Sequence, residues 1–289
     1  MIHDSAVIEK GAFLDEGVDI GPYSVIGKSV KLKKGVRIGS YVHIKGNTVV
    51  GENTYISTGA VLGELPQMLG MKDSAGKLYI GKNNTIREYV TIHTSTSPDK
   101  ATCIGDDCFL MAFSHIAHDC KLGEGVVVCN GSLVAGFVEI GEKTFVSGNA
   151  VIQQFSRIGR LVMIAGLARV NRDVPPFMLV MGDSKVWGIN IVGLKRAGFT
   201  KEDRAGIKKA YTCMYRKGES LKSSLDKIEA INSDKVREIK VFIMASKKGI
   251  CGGKNNTLRE KIFLDYPCLF RTKIQSYSLF SKYKSRFSG

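Results

Sequence analysis

Ile20-Gly21-Pro22-Tyr23-Ser24-Val25-Ile26-Gly27-Lys28-Ser29-Val30-Lys31-Leu32-Lys33-Lys34-Gly35-Val36-Arg37-Ile38-Gly39 carries an aliphatic side chain at every sixth position. The comb extends back to Leu14, Ile8 and Ile2 and forward to Ile44, Val50, Ile56 and Leu62. It returns at Ile80, Ile86 and Ile92, and again without a gap from Ile104 to Val170. A period of six fits neither the 3.6 of a helix nor the 2 of an ordinary strand. Gly follows the aliphatic tooth at Gly21, Gly27, Gly39, Gly51, Gly81, Gly105, Gly123, Gly141 and Gly159, while small or β-branched residues such as Ala6, Ser24, Thr54, Ala60, Thr144 and Ala150 stand four places after a tooth. Each hexad therefore reads as one short strand and a tight corner, with the tooth inward and the Gly supplying positive φ. Three hexads close one triangular coil, and stacked coils continue the hydrogen-bond ladders along the axis. The predicted fold class is mainly β with C-terminal α: a left-handed parallel β-helix over residues 1–176, against the usual right-handed crossover rule, then a small helical domain over 177–252.

Asp173-Val174-Pro175-Pro176 reads as the end of the ladder, because two prolines remove donors. Thr200-Lys201-Glu202-Asp203 then resembles a helix N-terminus leading into Ile207, Ala210, Tyr211, Met214 and Tyr215, with Gly218 as its stop. Shorter helices are predicted at about 220–231 and 233–246, together covering the open end of the last coil. In the remaining stretch, 253–289, Gly253 to Glu260 repeats Gly81 to Glu88 with one conservative change. Its aromatic and basic residues close no coil, and we expect this tail to be poorly ordered.

The formal net charge of +15 is unevenly placed. Through Pro176 there are eighteen Lys plus Arg against seventeen Asp plus Glu, and from Phe177 onward twenty-four against ten. A basic half of this kind attracts nucleic acid, anionic membrane or an acidic protein, or is simply a solvated helix face; no nucleic-acid motif accompanies it, so no nucleic-acid partner is expected. The seven cysteines form no CxxC pair, which argues for buried thiols rather than zinc or a disulfide framework. With no signal-like opening and no apolar run of membrane-spanning length, a soluble cytoplasmic protein without a transmembrane segment is expected.

Solenoids carry function where the repeat breaks. The comb breaks at 64–79 and at 94–103, the latter rich in Ser and Thr. Beside the second break lie His93 and then Ser114-His115-Ile116-Ala117-His118-Asp119-Cys120. His118 falls on an outward position of its hexad, where it is expected to meet solvent or a neighbouring subunit. An imidazole takes a proton near neutral pH, and an adjacent carboxylate can fix its tautomer.

Those residues, with Arg172-Asp173-Val174-Pro175-Pro176-Phe177 and Gly188 to Arg196, resemble the UDP-N-acetylglucosamine O-acyltransferases that begin lipid A synthesis. The resemblance spans about residues 1–252. It implies a homotrimer that moves an (R)-3-hydroxyacyl chain from acyl carrier protein to the glucosamine 3-hydroxyl of the UDP-sugar. It assigns His118 as general base, Asp119 as the residue orienting it and Gly136 as the oxyanion amide. Gln67, His93, His115 and Gln154 match sugar-side positions, Asn190 and Arg196 positions near the nucleotide, and Gly166 the acyl cleft. No metal or other cofactor is implied, because the thioester is already activated.

Some matching positions depart from the family pattern. Pro66-Gln67-Met68-Leu69-Gly70 stands where Pro-Gln-Asp-Leu-Lys is common, Phe137 where Ala-Gly-His is usual, Gln153 for a histidine and Val192 for a glutamate. N-acylation of a UDP-2,3-diamino sugar by the same fold is therefore a second reading. A γ-carbonic-anhydrase-like zinc enzyme and a non-catalytic β-helix protein are the readings from other classes.

Overall fold

The computed structural model describes residues 1–71, 76–215 and 220–253, and all of them belong to one compact unit, Met1–Leu258. The expectations for Gly218 and for the tail beyond Gly253 concern residues outside those described.

Short strands, most of two residues, stack into three sheets of nine, eight and eleven strands, one sheet per face of a prism and parallel except for one pair at the end of the third. Successive coils pair in a register of eighteen residues, as in Val7↔Val25 and His115↔Leu133. That offset is three hexads, so the teeth Ile20, Ile26, Leu32, Ile44, Ile56, Leu62, Ile86, Ile92, Leu110 and Ile116 form one axial core without solvent contact. The first coil ends the prism, and Ile2 there is exposed while Ile8 and Leu14 are only half-buried. The second inward position can take hydroxyls because their protons find the coil above: Ser24 Oγ donates to Gly39 O at 2.8 Å and Thr144 Oγ1 to Gly159 O at 2.8 Å. The breaks are absorbed between paired strands, with Val61 opposite Thr91 and Thr91 opposite His115.

The expected role of the glycines is corrected. Positive φ falls three places after the tooth, at Tyr23, Tyr41, Asp119 and Phe137 among others; of the glycines that directly follow a tooth, Gly63 at the first break has it, and Gly21, Gly51, Gly81 and Gly159 do not. Those without it are required by the next coil: a Cβ on Gly51 would lie 2.4 Å from the Gly81 carbonyl carbon, and one on Gly159 would lie 2.4 Å from Pro176 N.

The ladder also outlasts the prolines. Val174 N–H donates to Arg157 O and Val174 O accepts from Gly159 N–H, each at 2.8 Å. The Met178–Met181 strand then adds parallel to Met163–Ile164, Lys185–Ile189 pairs antiparallel to it, and Gly252–Gly253 closes that sheet. Proline costs a donor only where the ladder needs one, and Pro175 and Pro176 sit beyond the bonded Val174. The last coil is thus covered first by strands, with helices packed outside them.

Four helices follow: α1 (Ile191–Arg196), α2 (Lys201–Tyr215), α3 (Leu221–Glu229) and α4 (Asp234–Met244). α2 begins as expected, with Thr200 N–H donating to Asp203 Oδ2 at 3.0 Å and Asp203 N–H to Thr200 Oγ1 at 3.1 Å. Tyr211 of α2 donates its hydroxyl to Trp187 O at 2.9 Å, tying the helix to the hairpin. α4 is held to the coil by Arg160, whose guanidinium makes a two-pronged pair with Glu238 at 2.7 and 2.8 Å. Among the described residues no helix is long and apolar enough to cross a membrane. The six described cysteines are free, and burial pushes the thiols of Cys108 and Cys120 up to about 11 and about 12.

Candidate functional site

His118 follows the strand His115–Ile116 and projects outside the prism, yet it is only 7% exposed. Of the two expected surroundings, solvent or a neighbouring subunit, open solvent is corrected: Gly136 lies directly against the imidazole, and Phe137 stands edge-on to it at 5.1 Å between ring centroids. Phe137 is itself stacked on Phe155 at 4.8 Å.

His118 Nδ1 lies 2.9 Å from Asp119 Oδ2. Asp119 occupies a corner with φ 61°, which turns its side chain back toward the histidine. Burial works to raise the Asp119 pKa, but hydrogen bonds from Ser95, His118 and Thr96 outweigh it and hold the carboxyl below its ordinary value. An ionised carboxylate can only accept, so Nδ1 carries the proton and Nε2 presents its lone pair. Nε2 is the atom beside Gly136, where an added Cβ would sit 2.7 Å away. The amides on either side of Gly136 are spent, Ala135 on Ile152 O and Phe137 on His118 O, each within 3.1 Å. Among the described residues the Gly136 N–H has no such acceptor.

His93 and His115 meet edge to face at 4.9 Å between ring centroids, and His115 Nδ1 is bonded to Thr91 Oγ1 at 2.7 Å. Burial, then the charges that His115 and His118 would carry, push the His93 pKa down to about 4, and the His115 value is lowered by burial and by His118. Both rings are therefore neutral near pH 7. His93 Nδ1 is buried without a hydrogen-bond partner, a polar atom aimed at something the chain does not supply. Across from it, Glu64 pairs with Lys45 at 2.7 Å, and His43 lies within reach of both charges.

The other predicted positions are more dispersed. Gln67 is exposed on the loop after the Val61–Glu64 strand, beside exposed Met68 and Leu69. Gln154 is exposed on a later coil, where its carbonyl accepts from Lys248 Nζ. Gly166 sits where a Cβ would make ordinary contact with Gly148 O at 3.4 Å. Asn190 caps α1, its Oδ1 accepting from Gly193 N–H and its Nδ2 donating to Leu161 O, both at 2.9 Å. Its amide is therefore committed to the fold, while Arg196 is exposed at the far end of that helix. The structure thus gathers His93, His115, His118, Asp119 and Gly136 in one cluster. Asn190 contacts none of them. Sequence reasoning singled out neither Ser95, Thr96 nor Thr102, although a Ser/Thr-rich break beside an Asp was their signal. Among the described residues no group of three His, Cys, Asp or Glu is arranged to hold a metal ion.

Residues 173–251 match the family described as Udp N-acetylglucosamine O-acyltransferase, Domain 2, and residues 29–64 and 104–136 match the bacterial transferase hexapeptide family. The chain is 47% identical over 254 residues to the acyl-[acyl-carrier-protein]–UDP-N-acetylglucosamine O-acyltransferase of Thermodesulfovibrio yellowstonii, covering 86% of this chain and 98% of that protein. Among solved structures, the UDP-N-acetylglucosamine acyltransferase of Francisella novicida matches with a TM-score of 0.85 at 35% identity, covering 89% of this chain and 95% of that one. The Bacteroides fragilis enzyme matches with a TM-score of 0.84 at 35% identity, over 86% and 99% of the two chains.

Proposed function

The chain belongs to the acyl-[acyl-carrier-protein]–UDP-N-acetylglucosamine O-acyltransferase family, and from that premise we propose that it performs the first step of lipid A biosynthesis with His118 as general base. The substrates are an (R)-3-hydroxyacyl thioester of acyl carrier protein and UDP-N-acetylglucosamine. His118 Nε2 takes the proton of the sugar 3-hydroxyl as that oxygen attacks the thioester carbonyl. The Gly136 amide donates to the oxygen that becomes negative. Collapse breaks the carbon–sulfur bond, and the imidazolium returns its proton to the departing thiolate, leaving the ester and the carrier-protein thiol. Asp119 stays ionised and steadies the imidazolium meanwhile.

The observation that carries this reading is the placement of His118 Nε2 beside Gly136, with Nδ1 committed to Asp119. His93 and His115 are assigned to the sugar, the buried Nδ1 of His93 offering a partner to a ligand hydroxyl or amide. Gln67 and Gln154 complete the sugar side. Gly166 leaves room for the acyl chain, and Asn190 contributes by fixing the start of the helix that carries Arg196 toward the nucleotide. No metal or cofactor enters, because the thioester supplies the activation.

The proposal includes a homotrimer. It is supported by one prism corner where Tyr23 and Tyr41 stack at 5.2 Å and Tyr89 and Phe113 at 5.1 Å, all four exposed in the single chain. The excess of basic residues after Pro176 suits acidic acyl carrier protein. The six described thiols are free, four of them buried and Cys103 and Cys129 only partly so, which suits a reducing compartment, and we place the protein in the cytoplasm.

Met68 and Gly70 put no charge at the two positions where the family pattern has an acidic and a basic residue, which makes the acceptor the point to test. Purified protein is assayed with 3-hydroxyacyl carrier-protein thioesters against UDP-N-acetylglucosamine and a UDP-2,3-diamino sugar. Ester formation on the first is expected. Amide formation on the second alone would replace the acceptor, and no turnover of either would end the proposal.

A further inference from the structure

We propose that Ser95 and Thr96 are positioning residues for this transfer: their hydroxyls and the Thr96 amide form a cradle that fixes the Asp119 carboxylate and moderates its hold on His118. The inference rests on the assignment of His118 as base.

The Asp119 side chain is only 5% exposed, and among the described residues no Lys or Arg lies among its partners. A buried anion without a cation must be stabilised by neutral donors. Ser95 Oγ donates to Oδ1 at 2.5 Å, Thr96 N–H and Thr96 Oγ1 donate to Oδ2 at 3.1 and 2.8 Å, and His118 Nδ1 shares Oδ2 at 2.9 Å. Thr102 Oγ1 accepts the Asp119 amide at 2.8 Å, anchoring the backbone beneath.

Ser95 has one proton and two oxygens within reach, the Asp119 carboxylate at 2.5 Å and Ser97 O at 3.3 Å. The shorter, charged acceptor takes it. Ser95 Oγ in turn accepts Ser97 N–H at 3.1 Å, so the donor is polarised from behind. Ser95 is fully buried, and its own backbone is pinned by Gly76 N–H to Ser95 O at 2.8 Å and by Ser95 N–H to Lys77 O at 3.2 Å. The residues that interrupt the comb after Thr91–His93 thus deliver three donors to a carboxylate on the next coil.

Each donor withdraws charge from the carboxylate. Without one, the carboxylate attracts the imidazolium more strongly, the proton taken from the sugar is held more tightly, and its return to the thiolate slows. Among the described residues, the remaining titratable groups around the dyad are His115 and His93, both lowered by burial, and Cys120, whose thiol burial pushes up to about 12. Glu64, which acts on His93, is engaged by Lys45. None of these is a second anion on His118 that could mask the change.

The test uses the full chain and follows kcat, KM for the sugar and the pH dependence of kcat/KM in Ser95→Ala, Thr96→Val and the double variant. Ser95→Thr and Thr96→Ser keep the hydroxyls, and His118→Gln is the reference. Each hydroxyl loss is expected to lower kcat about tenfold, as for one charge-assisted hydrogen bond, with KM changed by less than about twofold. The acidic limb of kcat/KM should move upward by about half a pH unit or more, and the hydroxyl-retaining variants should restore both. An unmoved pH profile in both Ser95→Ala and Thr96→Val overturns the cradle, as does a rise in KM at constant kcat. So does a rate loss that tracks a lowered melting temperature and is not rescued. A His118→Gln protein with full activity would instead remove the base beneath it, a separate failure that the same experiment distinguishes.

Discussion

Replacing Gly136 by Ala puts a methyl group where the catalytic ring stands. The added Cβ would lie 2.5 Å from His118 Cε1, 2.7 Å from Nε2 and 3.0 Å from Nδ1. Carbon atoms in contact prefer about 3.5–4.0 Å, so the ring or the backbone must give by about 1 Å. The ring is tied at Nδ1 to Asp119 and met on another side by Phe137. The backbone is tied as well, since Gly136 O accepts from Phe155 N–H at 3.1 Å. A displacement of that size at the reacting atom costs about 100-fold in rate. Overpacking costs about 1–3 kcal/mol of stability besides. Initial rates at saturating thioester and varied sugar should show kcat/KM lowered about 100-fold, mostly through kcat. Gly188→Ala is the control, because a Cβ there meets nothing within 4 Å. A Gly136→Ala enzyme with wild-type kcat would refute both the contact and its mechanistic meaning.

His93 gives a pH prediction. Burial lowers its pKa to about 4, below the ordinary 6.5, so between those values the unfolded chain binds the proton more readily. Stability from this group is complete above about pH 6.5 and declines as pH falls toward 4, by at most about 3 kcal/mol. Urea unfolding at pH 7.5, 5.5 and 4.5 should show the decline, and His93→Gln should flatten it; an equally steep decline in the variant would sink the assignment. Asn190→Ala removes the α1 cap and the donor to Leu161 O, for about 1–2 kcal/mol in thermal melts, whereas Asn190→Asp keeps the cap and should lose about half as much. Equal losses would show the cap on Gly193 to be inert, and no loss in Asn190→Asp would show the same of the Leu161 contact. Arg160→Lys breaks the two-pronged pair with Glu238 and the stacking over Phe177 at 4.9 Å and Phe199 at 5.6 Å. With both charges partly exposed, the cost is about 1 kcal/mol, seen as faster hydrogen exchange in 234–244 with the coil unchanged; exchange quickening equally in both would contradict a local latch.

The period of six made the prism legible because every coil repeats one inward demand, and the core from Ile20 to Val170 obeys it. Local chemistry within a coil was less legible. Gly51 and Gly159 were assigned to a backbone conformation, but the constraint on them comes from the next coil, at Gly81 and Pro176. Pro175 and Pro176 suggested an end, but one bonded Val174 carried the ladder past them. α1 escaped notice because Ile191-Val192-Gly193 is a weak helix former in a six-residue element that its Asn190 cap sustains. At the site, the dyad could be read from adjacency in sequence. Burial of His118 could not, since Gly136 and Phe137 reach it only through the stacking of coils.

The corner geometry joins the scaffold to its chemistry. A non-glycine residue at positive φ is strained, by roughly 1–2 kcal/mol for an L side chain, and this chain accepts that strain at Asp119, Phe137 and Phe155 on successive coils. Asp is among the residues that tolerate the left-handed region, and at φ 61° its carboxylate meets the imidazole of the residue before it. Phe is not, and offsetting contacts are needed: Phe137 has the face of Phe155 on one side and His118 on the other. The aromatic pair therefore does more than fill space, because the same stack that stabilises two strained corners also walls the base off from water. Removing the Phe155 ring should relax the Phe137 corner and open His118 to solvent, so catalysis should fall even though Phe155 itself does not touch the histidine in the described contacts.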